Sequence, residues 1–174
     1  ETSVAVGQHF PVKPIRIVTG EPAGGSDIVT RIIGGVLTGS LGQQVIVDNR
    51  GFNAIEIVAR ALPDGYTLLS YGSPFWLAPF MQKVSYDPVR DFAPISLVAN
   101  VPLLLVVHPS LPVRSAKELI AFTKARPGEV NYAAASAGST THLAMELFKT
   151  MAGVNLVQIT YRGSGPALLA LVGG

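Results

Sequence analysis

A pattern that occurs three times constrains the fold of this 174-residue chain more than any other feature. An apolar segment typical of a strand is followed by a short turn of small residues, and then by a segment with helical periodicity. The three segments read IVTG-EPAGGS-DIVTR from residue 17, NYAAA-SAGST-THLAMELF from residue 131 and QITYR-GSG-PALLALV from residue 158. Strands that alternate with helices in this way favour an α/β architecture with largely parallel sheets.

Hydrophobic periodicity extends this alternation along the chain. It predicts strands over 13–20, 43–50, 66–72, 129–136 and 156–162, and helices over 27–40, 53–61, 77–84, 115–128, 141–153 and 165–174. Ser115 and Glu118 have the spacing of a capping box at the start of one of these helices. The chain stops where its last predicted helix has formed, so we expect the natural protein to continue.

The most apolar run, ISLVANVPLLLVVHP at 95–109, separates the predicted elements into two groups. It is shorter than the ~20 residues that a membrane-spanning helix needs, and Asn100 and Pro102 interrupt it. We therefore predict two buried strands around a bend, at a crossover between two lobes. Lobe one would comprise residues 1–99, and lobe two, incomplete in this chain, residues 100–174.

Composition argues against several classes of function. Hydrophobic residues make up 48% and charged residues 14% of the chain, which favours a substantial core over disorder. The net charge of +2 and the lack of any Lys/Arg cluster argue against nucleic acid as a partner. Cysteine is absent, which fits a mature periplasmic protein, and no signal-peptide pattern begins the sequence. The spacing of His9, His108 and His142 matches no metal site, so neither metal nor cofactor is predicted.

The three small-residue turns favour an anion as ligand. At the start of a helix the first backbone N–H groups lack partners, and glycine lets a ligand approach them. In open α/β sheets such turns line the crevice beyond the carboxyl ends of the strands. Each turn alone also fits an ordinary helix cap. Three in one chain favour a site for a small carboxylate or phosphate.

One of these turns also suggests an enzyme. The segment AASAG at 134–138 resembles a nucleophile elbow, with Ser136 between a strand and a helix. Beyond Ser136, the one histidine is His142 and the one acidic residue is Glu146, and both lie on the adjoining predicted helix. Neither can be a distant triad partner there, so an α/β-hydrolase-like enzyme is the weaker alternative.

A series of motifs in fixed order runs from Phe10 to Gly174. They are FPVKPIRIV, PAGGSDIVTRII, LGQQVIVDNR, ARALPDGYTLL, YDPVRDFAPISLVA, ELIAFTKARPGEVNYA, GSTTHLAMELFKTMAGV and YRGSGPALLALVGG. This order resembles the substrate-binding proteins of tripartite tricarboxylate transporters, the Bug family of periplasmic receptors. The resemblance implies a type II periplasmic-binding-protein fold, in which two α/β lobes close on a small solute in the manner of a Venus flytrap.

The resemblance also implies a mode of action. Family members bind di- or tricarboxylates, aromatic acids or amino acids and hand them to membrane transporter subunits. It implies a monomer without catalysis or cofactor, closing about a hinge that we place near Ala99–Pro102. A solute sensor that signals to a partner is the alternative use of the same fold.

The ligand-binding residues that the resemblance implies come from four loops. Two loops belong to lobe one and two to lobe two, each between a strand and a helix. By position these residues are Pro22, Gly24, Gly25, Ser26, Asp27, Gly72, Ser73, Phe75, Ala137, Gly138, Ser139, Thr140, Thr141, His142, Gly163 and Ser164, with Arg162 and Gly165 beside them. Phe75 fits core packing as well as a pocket wall.

The sequence departs from the family pattern in lobe one. Glu21 occupies a position where an apolar, usually aromatic, residue is expected, and the glycine-rich segment after VDNR is shortened to GFNAIEIVARA. We expect Glu21 to point away from the cleft, because an unpaired carboxylate beside a bound carboxylate would be repelled or forced to protonate. The alternative is a ligand that carries a cationic amine beside its carboxylate.

Overall fold

The computed structural model describes residues 10–174, so His9 lies outside the described residues. It confirms an α/β architecture, with two small sheets whose strands are all parallel. The first sheet has the order β2-β1-β3. Its strands and the helices that follow them are β1 (Ile15–Thr19), α1 (Gly25–Leu41), β2 (Val45–Asn49), α2 (Asn53–Ala59), β3 (Thr67–Ser70) and α3 (Pro74–Met81).

The second sheet pairs two strands that lie further along the chain. A capped helix precedes it, and each of its strands is followed by a helix. These elements are α4 (Ala116–Lys124), β4 (Asn131–Ala134), α5 (Thr140–Ala152), β5 (Val157–Thr160) and α6 (Ser164–Gly173).

The strand register sets where the loops lie. Thr19 at the end of β1 pairs with Asn49 at the end of β2 and with Ser70 at the end of β3. In the second sheet Ala134 and Thr160 pair at the ends of their strands. Because parallel strands end at one edge, the loops that follow them in each sheet emerge side by side.

Each lobe has its own small core. In lobe one, Ile55 is fully buried and packs with the aromatic rings of Phe75 and Tyr86, whose hydroxyl donates a 3.0 Å hydrogen bond to the Phe75 carbonyl. In lobe two, Tyr132 and Leu156 lie at the centre of the buried cluster. Phe75 is therefore a core residue rather than part of a pocket wall.

Local signals at the helix ends explain why these elements begin and end where they do. Ser115 caps α4 by accepting a hydrogen bond from the Glu118 N–H at 3.2 Å, as predicted, while the Glu118 carboxylate accepts from the Arg114 N–H at 2.6 Å. The helix α1 ends at Gly42, which has φ +64°. Pro74 occupies the first turn of α3, so that helix begins at residue 74 rather than at the predicted residue 77.

The prediction of two buried strands within 95–109 is wrong. This segment forms no regular secondary structure, and Ile95 and Leu104 are 79% and 83% exposed. Its apolar sequence favours burial, but a strand also needs backbone partners, and no strand of residues 10–174 pairs with it. Hydrophobic periodicity detects the tendency to be buried and carries no information about the pairing partner.

None of the helices in the described part of the chain is both long and apolar enough to cross a membrane.

Candidate ligand-binding cleft

The four predicted loops meet at one place between the lobes. The Ser73 hydroxyl, after β3, donates a 3.0 Å hydrogen bond to the carbonyl of Gly138, after β4. The loop after β5 approaches the loop after β1 so closely that a Cβ added at Gly165 would stand 2.8 Å from the Ala23 carbonyl oxygen. A Cβ at Gly163, which has φ +108°, would lie 3.7 Å from the Gly24 Cα. Small residues in these loops thus permit backbone-to-backbone contact between the lobes.

The loop between β1 and α1 is held by Asp27. Its carboxylate accepts hydrogen bonds of 2.9 Å from the Ala23 N–H and the Asn49 side-chain amide, and it forms a 2.9 Å ion pair with Arg31. Asp27 is only 4% exposed. Burial alone would raise the pKa of Asp27, but the bonds from Asn49, Ala23 and Arg31 outweigh it and hold the pKa below its ordinary value. The carboxylate therefore stays ionised and stabilises the loop.

The loop between β4 and α5 is shaped by its own side chains. Ser139 caps α5 by accepting a 3.3 Å hydrogen bond from the His142 N–H, and Thr141 Oγ1 accepts one of 3.2 Å from the Ala135 N–H. His142 Nδ1 accepts a 3.2 Å hydrogen bond from the Gly138 N–H. Three predicted site residues in this loop are thus engaged in positioning it.

A cavity of about 350 Å³ lies where the loops meet. Both lobes contribute to its wall, which includes part of the last turn of α3. The lining residues are Glu21, Phe52, Tyr71, Ala78, Met81, Gln82, Ser136, Ala137, Thr160, Tyr161 and Arg162. The site offers hydroxyl, amide and guanidinium donors, two aromatic side chains from lobe one and one carboxylate.

A second depression, of about 520 Å³, lies away from the four loops. It is bounded by residues of the segment 109–114 and by Glu118 at the start of α4. The Glu118 carboxylate is already bonded to the backbone of Arg114. None of the strands in residues 10–174 contributes to the wall of this depression, so the smaller cavity between the lobes is the candidate site.

Some of the predicted site residues line the cavity, and the others lie in the loops and core around it. Ala137 and Arg162 line the cavity. Asp27 and Ser139 are bonded within their own loops, and Phe75 lies in the core. The other predicted residues shape the loops around the cavity without lining it: Pro22, Gly24, Gly25, Ser26, Gly72, Ser73, Gly138, Thr140, Thr141, His142, Gly163 and Ser164. That the loops bind a ligand directly stays a prediction.

The expectation that Glu21 points away from the cleft is wrong, because Glu21 lines the cavity. Sequence reasoning also missed Phe52, Tyr71 and Gln82. Tyr71 and Thr160 follow or end strands, so their position at the carboxyl edge of a sheet was a usable signal. Phe52 and Gln82 carry no such signal, since Phe52 packs against the core of lobe one just before α2 and Gln82 follows the end of α3.

The residues described by the structure do not form a catalytic triad in the cavity. Ser136 lines it, but His142 uses Nδ1 to accept from the Gly138 N–H. Its other ring nitrogen lies 4.0 Å from Glu146, whose carboxylate receives 2.7 Å hydrogen bonds from Tyr132 and Lys149. The bonds from Lys149 and Tyr132 hold the pKa of Glu146 below its ordinary value. Within residues 10–174, no three His, Cys, Asp or Glu side chains cluster as a metal site would require.

Comparison with known proteins identifies relatives along nearly the whole chain. The profile of the tripartite tricarboxylate transporter family receptor matches residues 29–174. Protein BugT of Bordetella pertussis is 42% identical over an alignment of 173 residues, and the alignment covers 95% of this chain and 53% of the relative. A Cupriavidus necator protein from the gbd 5′ region is 37% identical over an alignment of 175 residues, which covers 98% of this chain and 54% of that protein. The chain thus spans about half the length of the curated relatives it matches.

Solved structures of periplasmic binding proteins superpose on nearly the whole of this chain. R. palustris Rpa4515 with adipate superposes with a TM-score of 0.88 at 37% identity, covering 95% of this chain and 57% of that one. MatC (Rpa3494) from Rhodopseudomonas palustris with bound malate gives 0.82 at 30% identity, with coverage of 95% and 58%. The fold is accordingly that of periplasmic binding proteins, of which this chain covers about half. Together, the family profile, the similarity to BugT and these superpositions establish that the chain belongs to the tripartite tricarboxylate transporter family of receptors.

Proposed function

We propose that the protein containing this chain is a periplasmic receptor that captures a small organic carboxylate between two lobes and delivers it to membrane transporter subunits. The observation that carries the proposal is the cavity of about 350 Å³ at which loops from both parallel sheets meet. Ligands of α/β sheets bind beyond the carboxyl ends of the strands, and that is where this cavity lies. Adipate and malate in the two related structures are small dicarboxylates.

The chemistry of the cavity suits a carboxylate. Four helices, α1, α3, α5 and α6, begin in the loops around it, and the N-terminal end of a helix favours negative charge. Arg162 adds a planar guanidinium, which can donate two parallel hydrogen bonds to one carboxylate. Tyr71, Gln82 and Thr160 supply further polar groups for the rest of the solute.

Binding would close the lobes. The Ser73 hydrogen bond to Gly138 and the contact between Gly165 and Ala23 join the lobes at the rim of the cavity. A solute held by both walls adds contacts that exist only when the lobes are together, so it shifts the population toward the closed form. Transporter subunits would then recognise that form.

The test is ligand binding by the full-length protein that carries this sequence. Thermal shift followed by calorimetry against adipate, malate, citrate, benzoate, glutarate and glutamate should identify at least one acid that raises the Tm. Arg162→Gln should weaken that binding about tenfold or more, the scale of one lost charge-assisted hydrogen bond. Arg114→Gln, outside the cavity, is the matched control and should bind as the wild type does. A full-length protein that none of these acids stabilises would refute the proposal.

A further inference from the structure

The cavity contains one group of each charge. Among its lining residues Glu21 carries the one formal negative charge and Arg162 the one formal positive charge. Within residues 10–174, neither side chain forms a salt bridge, with the other or with any third residue. By contrast, Asp27 and Asp48 of lobe one each form salt bridges with arginine side chains. Glu21 and Arg162 therefore both remain available to a solute.

The structure fixes where the Glu21 side chain lies. Its carboxylate packs across Gly51, where an added methyl group would collide with it. Its Cβ lies 3.8 Å from the position that a Cβ would take at Gly163 of lobe two. Glu21 thus stands between the two lobes, at the edge of the cavity and exposed to solvent.

The surroundings of Glu21 suit a cation more than an anion. Phe52 and Tyr71 line the cavity together with Glu21, and the faces of aromatic rings attract ammonium groups. Burial and the negative charge of Glu21 raise the pKa of Tyr71 to about 12, so that phenol stays neutral and adds no second negative charge. A dicarboxylate whose first group occupied Arg162 would bring its second negative charge toward Glu21 and be repelled.

We propose that Glu21 is a specificity-determining residue that selects solutes carrying a protonated amine together with a carboxylate. The carboxylate of such a zwitterion faces Arg162 and the helix N-termini, and its ammonium group faces Glu21 and the aromatic side chains. This inference rests on the proposed function, because it assigns the chemistry of the solute at the same cleft. Selection arises both from attraction of the amine and from repulsion of a second carboxylate.

The experiment compares probes that differ only by an amine. Calorimetry with the full-length protein measures the Kd for 4-aminobutyrate against butyrate, glutamate against glutarate, and phenylalanine against 3-phenylpropionate. In the pair that fits the cleft, the aminated acid should bind about tenfold tighter or more, as expected for one charge-assisted contact. Glu21→Gln, which keeps the shape and removes the charge, should lower that ratio at least fivefold, a loss on the order of 1 kcal/mol, and should not weaken the simple acid.

Two controls separate charge at this position from general effects. Glu56→Gln makes the same chemical change on α2, where Glu56 pairs with Arg60 outside the cavity, and it should leave the ratio unchanged. Arg162→Gln should weaken both members of the pair. Unliganded melting temperatures of the wild type and Glu21→Gln should agree, because the Glu21 side chain is exposed.

The outcomes distinguish this inference from the proposed function. Simple carboxylates that bind as tightly as their aminated partners, or a ratio that Glu21→Gln does not change, would overturn the role of Glu21 and leave a carboxylate receptor. No binding of any of these acids or of the acids tested above would overturn both.

Discussion

Asp27→Asn tests whether the first loop of the cleft depends on a single buried charge. The carboxylate of Asp27 accepts from the Ala23 N–H, the Asn49 amide and the Arg31 guanidinium. An asparagine can present its carbonyl to one side, but its own NH₂ group then faces N–H donors on the other. At least one buried donor loses its acceptor, and the ion pair with Arg31 is lost.

The expected loss follows from these contacts. A hydrogen bond to a charged group contributes about 1.5–3 kcal/mol, and an unsatisfied buried donor costs about 1–3 kcal/mol. Arg31 is half exposed, so its ion pair adds little. We expect the free energy of unfolding to fall by about 3 kcal/mol. Urea unfolding of the full-length protein measures the difference.

The pH dependence provides a second measurement. The folded-state pKa of Asp27 lies below its ordinary value of 3.8, so on acidification the unfolded chain takes up the proton first. The stabilisation is therefore present in full at pH values well above 3.8 and is lost as the pH falls through 3.8 and then through the folded-state pKa. Wild type should lose stability over that range more steeply than Asp27→Asn, so the two curves should converge at low pH.

Asp48→Asn is the matched control. Asp48 also receives its bonds from arginines, Arg16 and Arg50, but these side chains are 38% and 54% exposed, so water can replace the lost acceptor. The control should lose about 1 kcal/mol or less. A change of less than about 0.5 kcal/mol in Asp27→Asn, or stability curves that stay parallel in acid, would refute the assigned role of Asp27.

Substitutions at three further positions, Ser139, Gly165 and Gly51, test the loops. Ser139→Ala should lower the free energy of unfolding by about 1 kcal/mol because it removes the cap of α5, and Ser139→Asn should restore most of that loss. Urea unfolding measures both. Equal stability of the wild type and the two variants would contradict the role of Ser139 as a cap. Gly165→Ala should weaken solute binding, measured by calorimetry, because its methyl group would separate the lobes at a 2.8 Å contact, and unchanged affinity would argue against closure there. Gly51→Ala should displace the Glu21 carboxylate and reduce the preference for aminated acids. Gly42→Ala is the control, because Gly42 also has a positive φ but no atom close to its added methyl group. It should incur similar backbone strain and keep that preference.

Much of the fold could be predicted because local signals and tertiary structure agree. The strand over 13–20 contains β1, and the small-residue turns at 21–26 and 136–140 do lead into α1 and α5. The prediction failed at 95–109, where the pattern is just as apolar but the described chain offers no strand to pair with. Periodicity reports a preference for burial, and pairing depends on elements distant in sequence.

The site was harder to predict than the loops that surround it. Glycine and serine turns identified where the backbone approaches the cleft, and those loops do meet. The side chains that face the cavity, such as Phe52, Met81 and Gln82, come from the start of α2 and the end of α3. Their place in the wall depends on how one lobe sits against the other, and no local pattern in the sequence encodes that arrangement.

Two acids at the start of α1, one in the preceding loop and one in the first turn, illustrate the same limit. Asp27 and Glu21 lie six positions apart, yet Asp27 has three donors around it and Glu21 has no salt-bridge partner within residues 10–174. Gly51, the residue that follows VDNR, allows the Glu21 carboxylate to lie where it does. The absence of a side chain at position 51 makes room for the charge at position 21, although the two positions are 30 residues apart. A residue with a side chain at position 51 would collide with the Glu21 carboxylate and displace it.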